Sequence, residues 1–306
     1  MPEIIFQLYD QTLIVNHWDP ALRSLRDTKD GIYGPESFIG YLESNDHNQN
    51  NYRTASELSI DTRAKLSNRL DEQETMVLRL GRASDGPGTQ FALVQVPGQL
   101  DDFFINEYEF NSDDREVLDY SSGGNQMLSL NQNAQDMLEV YRALPTFSET
   151  SFVNFALSTG ILSKALNLDI EQIGTAPTTV ASTFDFKFEP HRDQPTVVHH
   201  NIGQIEIDAL VMSRRNGERI LLVIEAKSGQ RRELAKHKLG YPALAAEKSM
   251  SLDFDRIVPV YLRAQSVGEA IQYSIYECSE VPEGKSHPCL SGLHVINDYH
   301  YEVRIE

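Results

Sequence analysis

The stretch "LLVIEAKSG", residues 221–229, is an aliphatic run that ends in a carboxylate, Glu225, and an ammonium, Lys227. A short apolar run bounded by a turn residue reads as a buried strand. Charge at its end is costly unless it is paired or used. Side chains alternate along a strand, so Val223, Glu225 and Lys227 share one face and Leu222, Ile224 and Ala226 take the other. Upstream, "QIEIDALVM" (204–212) alternates in the same way, with Gln204, Glu206, Asp208 and Leu210 on one face and Ile205, Ile207, Ala209 and Val211 opposite. Asn216-Gly217 lies between the two runs and is a hairpin signal. The strands are therefore expected to pair antiparallel, which carries Asp208 towards Glu225 and Lys227.

Carboxylates gathered around one ammonium suit Mg²⁺, with Mn²⁺ as its substitute, because this hard cation takes one or two carboxylates and leaves positions for water and phosphate oxygens. Asp208 and Glu225 are the expected ligands, with the backbone carbonyl of Ala226 as a third donor. A metal held there would polarise a scissile phosphate and acidify a water, while Lys227 would orient that water or stabilise charge developing on phosphorus. The plainer alternative is a Glu–Lys pair on an edge strand. It accounts for the residues singly, but not for the buried run, the hairpin and the acid opposite.

The flanking periodicities place these strands among other elements. "TFSETSFVNFALSTGILSKALNL" (146–168) spaces Phe152, Phe155, Ala156, Thr159, Leu162 and Leu166 as one amphipathic helix. "STFDFKFEP" alternates as a strand, "RELAKHKLGYPALAAEKS" reads as a helix interrupted at Pro242, and "DRIVPVYLRA" returns to strand. "AIQYSIYEC" and "LHVINDYHYEVRI" are two further strands. Nearer the start, "QTLIVNH" reads as a strand, "DPALRSLRD" and "SIDTRAKLSNRL" as helices, and "TMVLRL" with "TQFALVQV" as a hairpin across "GRASDGPG". That connection lacks the Gly-Lys-Ser/Thr of a phosphate loop and reads as a plain turn. The acidic, Gly-rich "EFNSDDREVLDYSSGGNQ" suggests a boundary, followed by a helix near 131–143. Residues 1–140 would then form an N-terminal α+β domain and residues 141–306 a catalytic domain.

Asp208, the hairpin connection, and Glu225-Ala226-Lys227 after a run of aliphatics resemble the PD-(D/E)xK nuclease superfamily, and the helix–strand–strand–strand–helix–strand order is similar to its core. The resemblance covers roughly residues 146 to 262, and Ile207 stands where the nominal Pro would. It implies an α/β fold with a restriction-endonuclease-like core, a mixed sheet flanked by helices. The activity it implies is that of a Mg²⁺-dependent DNA endonuclease, a type II restriction endonuclease or related defence nuclease. The catalytic set would be Asp208, Glu225 and Lys227. The first-helix acid corresponds to Glu149, and "GQIEID" resembles members with an extra acid at Glu206. "HKLGY" is similar to a Q-x-x-x-Y pattern, with His237 in place of Gln and Tyr241 matching. Double-stranded DNA, a second copy of the chain and a cognate methyltransferase or defence-system protein are the implied partners. The alternative from a different class is a catalytically inactive nuclease-fold module that binds DNA or protein.

Glu149 has a second reading in the residues themselves, since Thr146-Phe147-Ser148-Glu149 fits a capping box. His237 and Tyr241 share a helix face as a packing pair or as a phosphate contact. His199 and His200, being adjacent, point opposite ways as structural or exposed residues, and Trp18 reads as core.

Composition narrows the class. At 306 residues with 40% apolar and 24% charged residues, a folded globular chain is expected. No apolar run approaches the roughly 20 residues of a membrane span, and "MPEIIFQLYD" lacks the pattern of a signal peptide. No membrane partner and a cytoplasmic location are the expectations. Cys278 and Cys289 lie outside any CxxC and read as free thiols. The formal net charge of −18 argues against a nucleic-acid partner on its face. Its distribution is uneven, with 24 acids and 10 bases in residues 1–140 (net −14) against 21 acids and 17 bases in 141–306 (net −4). Residues 214–248 hold nine bases to four acids, Arg232 and Lys236 among them. That surplus reads either as a phosphate footprint or as a solvated helix face.

Overall fold

In the computed structural model, which describes residues 16–110, 114–120, 132–143, 146–169, 178–230, 232–249 and 253–305, the apolar periodicities resolve into one large mixed sheet flanked by helices. The N-terminal elements are α1 (Asp19–Arg26), β1 (Ile32–Ser37), α2 (Phe38–Ser44), α3 (Thr54–Leu58), α4 (Asn68–Asp71), β2 (Thr75–Arg82) and β3 (Thr89–Gln95). The short β4 (Phe104–Asn106) and β5 (Glu116–Asp119) follow, then α5 (Gln132–Arg142), α6 (Glu149–Ser158) and α7 (Ile161–Ala165). The remaining elements are β6 (Thr178–Phe188), β7 (Val198–Arg215), β8 (Glu218–Ser228), β9 (Glu233–Ala235), α8 (His237–Ser249), β10 (Arg256–Val267), β11 (Ala270–Cys278) and β12 (Val295–Arg304).

The turn at Asn216-Gly217 sets the register of the central hairpin. Both residues take positive φ, 54° and 83°, as a two-residue hairpin turn demands. β7 and β8 then pair antiparallel from Arg215↔Glu218 to Ala209↔Ile224. β8 and β10 are parallel neighbours, which requires a crossover, and α8 supplies it. The sheet runs β1-β3-β2-β7-β8-β10-β11-β12-β5, with β6 paired to β7 off that path.

Each face of β8 has its own cover. Leu222, Ile224 and Ala226 lie in a core layer with Phe152, Phe155 and Ala156 of α6 and Ile161 and Leu162 of α7. Leu221 and Val223 lie in the opposite layer with Ala243, Leu244 and Ala245 of α8. Trp18, Phe38 and Phe91 belong to that second layer too, so residues of both expected domains share one core. β5 stands not with the N-terminal strands but against β12, at the far edge of the sheet. The two halves meet where Gly81 of β2 pairs with Asn201 of β7.

Several expectations change in detail. The run 146–168 is two helices, α6 and α7, divided at Gly160, which takes a left-handed φ of 82°. "SIDTRAKLSNRL" forms only a single 3₁₀ turn at Arg63–Lys65 and the one-turn α4. Pro242 sits inside α8 without ending it. Most of the expected strand "QTLIVNH" and much of the Gly-rich boundary fall outside the described residues. Cys278 and Cys289 are buried free thiols, Trp18 is fully buried, and among the described residues no helix is long and apolar enough to cross a membrane.

Candidate active site

The carboxylates lie where β7 parts from β8. Pairing between the strands ends at Ala209↔Ile224, and beyond it the Ala226 N–H donates to Asp208 Oδ2 at 2.8 Å. Against β6, the stretch of β7 from Ile207 to Leu210 holds one residue more than its partner from Val180 to Thr178, a β-bulge at Asp208-Ala209. Strict alternation breaks there: Ile205 and Ile207 share a core layer with Leu210 and Met212, while Ala209 and Val211 face the other layer. The single-face grouping expected from sequence holds on each side of Asp208 but not across it.

Glu225 is 5% exposed and accepts a 2.7 Å hydrogen bond from Lys227 Nζ. Burial pushes its carboxyl up to about 7; Lys227 opposes that rise, and the like charge of Asp208 adds to it. Asp208 is raised as well, by burial first and also by Glu149, against the pull of the Ala226 N–H and Lys227. Burial works against the Lys227 charge, but Glu225, Asp208 and Glu149 outweigh it and hold the ammonium above the usual lysine range. Glu225, buried and raised further by Asp208, and the half-buried Asp208, raised by burial and by Glu149, form a site short of positive charge. A divalent cation fits that deficit, with Asp208 and Glu225 as the carboxylate donors. Among the described residues no group of three or more His, Cys, Asp or Glu side chains is gathered for a metal.

Glu149 comes to the same place from the opposite face. It is the first residue of α6, and Ser148 is the cap, accepting from the Ser151 N–H at 3.1 Å. The capping box centred on Thr146 does not form. Glu149 instead accepts from the backbone N–H and the hydroxyl of Ser228, at 2.9 and 3.2 Å, and so clamps the end of β8. Glu206 is exposed and lines the same cavity as Asp208, Glu225 and Glu149.

That cavity measures about 760 Å³. Its lining also includes Asp61, Lys65 and Arg79, which the sequence reading did not single out, and Lys238, one of the nine bases of 214–248. Asp61 binds the ammoniums of Lys65 and Lys238, the latter at 2.8 Å, and its carbonyl accepts from the Ala235 N–H at 2.7 Å. The only signal available was local: Asp61 and Lys65 stand at helical spacing, and Lys238 shares a face of α8 with Tyr241. Nothing in either pattern says what they face.

His237 and Tyr241 line the cavity and are 5% and 6% exposed. Burial lowers His237 to about 3, with Lys238 contributing, and raises Tyr241. His237 is thus neutral, and neither its Nδ1 nor Tyr241 Oη has a hydrogen-bond partner among the described residues. Such buried orphans cost roughly 1–3 kcal/mol each. His200 is buried with its ring 5.2 Å from Tyr241, while His199 turns outward to Asp185 at 3.0 Å.

Most of the described bases of 214–248 do not gather at this cavity. Lys236 is buried and donates to the Ser291 carbonyl at 2.8 Å, and Arg232 lies over the Tyr108 ring at 5.3 Å. Neither lines the cavity. Arg215 is spent on Glu277, and Arg219 on Asp253. Of that stretch, Lys227 and Lys238 are the bases that reach the cavity, Arg231 falling outside the described residues.

A family model described as "Domain of unknown function (DUF6997)" matches residues 120–286, more than half of the 306-residue chain. The match contains Glu149, Asp208, Glu225 and Lys227 but not the wall formed by Asp61, Lys65 and Arg79. No curated protein and no solved structure matches the chain.

Proposed function

The chain belongs to the DUF6997 family, and from the chemistry of its cavity we propose that it is a Mg²⁺-dependent nuclease of the PD-(D/E)xK type, hydrolysing phosphodiester bonds. The observation that carries the reading is the pair of carboxylates, Asp208 and Glu225, each raised by burial and by a neighbouring carboxylate, with the Lys227 ammonium bonded to Glu225. The element order supports it: α6, β6, β7, β8, α8 and β10 follow the helix–strand–strand–strand–helix–strand order, with α7 and β9 as short additions.

Asp208 and Glu225 would hold the cation, with the Ala226 carbonyl as backbone donor. When bound, it supplies Lewis acidity, neutralising charge on the scissile phosphate and acidifying the attacking water. Lys227 keeps its proton at neutral pH, because three carboxylates favour its charge. It therefore acts as an electrostatic donor to the phosphate oxygens and not as a general base. Glu149 and the Asp208–Ala226 bond fix the end of β8, so the donors are held before substrate arrives.

One feature favours the binding-module reading, namely that Glu225 and Asp208 already have partners within the chain, Lys227 and the Ala226 N–H. Incubating the purified chain with labelled DNA and RNA in Mg²⁺, Mn²⁺ or EDTA separates the two. Cleavage that needs the metal is the expected result. Nucleic-acid binding with no cleavage in either metal would favour the module.

A further inference from the structure

Lining the same cavity as Asp208 and Glu225 are Ala55 and Ser56 of α3, with Ser59, Asp61 and Lys65 from the segment between α3 and α4. This wall is fastened to the elements that follow β8. The Ala235 N–H donates to the Asp61 carbonyl at 2.7 Å, the Arg63 N–H to Glu233 Oε2 at 3.2 Å, and Lys238 to the Asp61 carboxylate at 2.8 Å. The cavity volume, about 760 Å³, falls in the range of about 300–1,000 Å³ that takes a small organic ligand.

Charge points the same way. Uninterrupted duplex is held through many phosphates, on a surface rich in Lys and Arg. This chain carries a formal charge of −18. Four cations line the cavity: Lys65, Arg79, Lys227 and Lys238. Three of them are ion-paired, Lys65 and Lys238 to Asp61 and Lys227 to Glu225. Arg79 makes no ion pair among the described residues; it donates only a long, 3.4 Å hydrogen bond to Ser59 Oγ. Beside it are His200, whose proton affinity is lowered by burial first and also by the Arg79 charge, and Tyr241, whose ring is 5.2 Å from His200. Tyr241 Oη and His237 Nδ1 are the buried polar atoms of this cavity without partners among the described residues.

Resting on the nuclease reading, we infer that the substrate of this site is a single-stranded end or short single-stranded oligonucleotide, with a phosphate at Arg79 and a nucleoside against Tyr241 and His237. A continuous duplex does not enter. One uncommitted cation lines the cavity, where duplex would require a basic surface. A single strand can present its bases edge-on to the hydroxyl and the imidazole. Strands with ribose and with deoxyribose are both substrates to be compared.

The test uses the full chain and labelled short single strands of DNA and of RNA, beside a covalently closed duplex with no free end. Binding is read by fluorescence anisotropy with Ca²⁺, and cleavage with Mg²⁺ and Mn²⁺. The inference expects single strands to bind at least about tenfold more tightly than closed duplex and to be cut in preference to it. Tyr241→Phe, which removes one oxygen, and Arg79→Gln should each weaken single-strand binding by about tenfold with the melting temperature held, and Arg79→Lys should restore part of it. Equal or tighter binding of closed duplex, or no loss in either variant, overturns the inference while leaving metal-dependent cleavage intact. Single-strand binding without cleavage of any substrate overturns the nuclease reading instead.

Discussion

At the scale of single residues, the site is defined by how far Glu225 and Asp208 are driven from ordinary carboxyl behaviour. Glu225 stands at about 7 in the folded chain against an ordinary 4.5. Folding therefore favours its protonated form. The stability this group contributes is full below about pH 4.5 and is lost as pH rises through about 7; Asp208 shifts in the same direction. A divalent cation reverses that loss by favouring the ionised pair. Mg²⁺ should accordingly raise the melting temperature more at about pH 8 than at about pH 5, and Asp208→Asn, which keeps an oxygen for the Ala226 N–H, should abolish the difference. A shift that is independent of pH, or that persists in Asp208→Asn, speaks against the carboxylate pair as the metal site. Lys227→Met should lower cleavage by about 10²–10³, and an unchanged rate would remove Lys227 from the mechanism.

At the scale of elements, the β7–β8 hairpin does the positioning. Gly217 has φ +83° and no atom within 4 Å of an added Cβ, so Gly217→Ala tests backbone strain alone. It should cost about 1 kcal/mol in a denaturant titration. Gly81 has the same φ but lies against β7, where an added Cβ would stand 2.5 Å from the Asn201 carbonyl oxygen. Gly81→Ala should therefore cost distinctly more, about 2–4 kcal/mol, and equal costs at the two glycines would mean that the β2–β7 joint is loose. The hairpin was legible in the sequence because its determinants are local: Asn216-Gly217, the aliphatic run and its alternation. The bulge at Asp208-Ala209 was not, since it depends on the register that β7 keeps with β6. Lys236 and Arg232 were misplaced for a related reason. A count of bases along the chain does not say which way each side chain points, and Lys236 points to Ser291.

At the scale of the whole molecule, the N-terminal half lines part of the cavity and is tied to the sheet by a buried charge. Glu107 accepts from Arg263 Nε at 2.5 Å and from the hydroxyls of Tyr261 and Tyr276 at 2.6 and 3.2 Å. Tyr261 and Arg263 are the β10 neighbours of Glu225 and Lys227, so this network underlies the strand that bears the site. Glu107→Ala strands a buried guanidinium and should destabilise the fold by about 3–5 kcal/mol, whereas replacing Glu107 and Arg263 together by Met should cost less. Similar losses for the single and double variants would mean that packing, and not the ion pair, dominates. Almost none of this was legible in advance. Glu107 and Arg263 are 156 residues apart, and Asp61 and Glu225 meet only through the tertiary fold.

The account stands most directly on the rate of phosphodiester cleavage in Mg²⁺ by the full chain beside its Asp208→Asn variant, measured with metal in excess on single-stranded DNA. It predicts metal-dependent cutting by the native chain and a rate lower by at least about 10² in the variant. Cleavage that survives Asp208→Asn undiminished would contradict it.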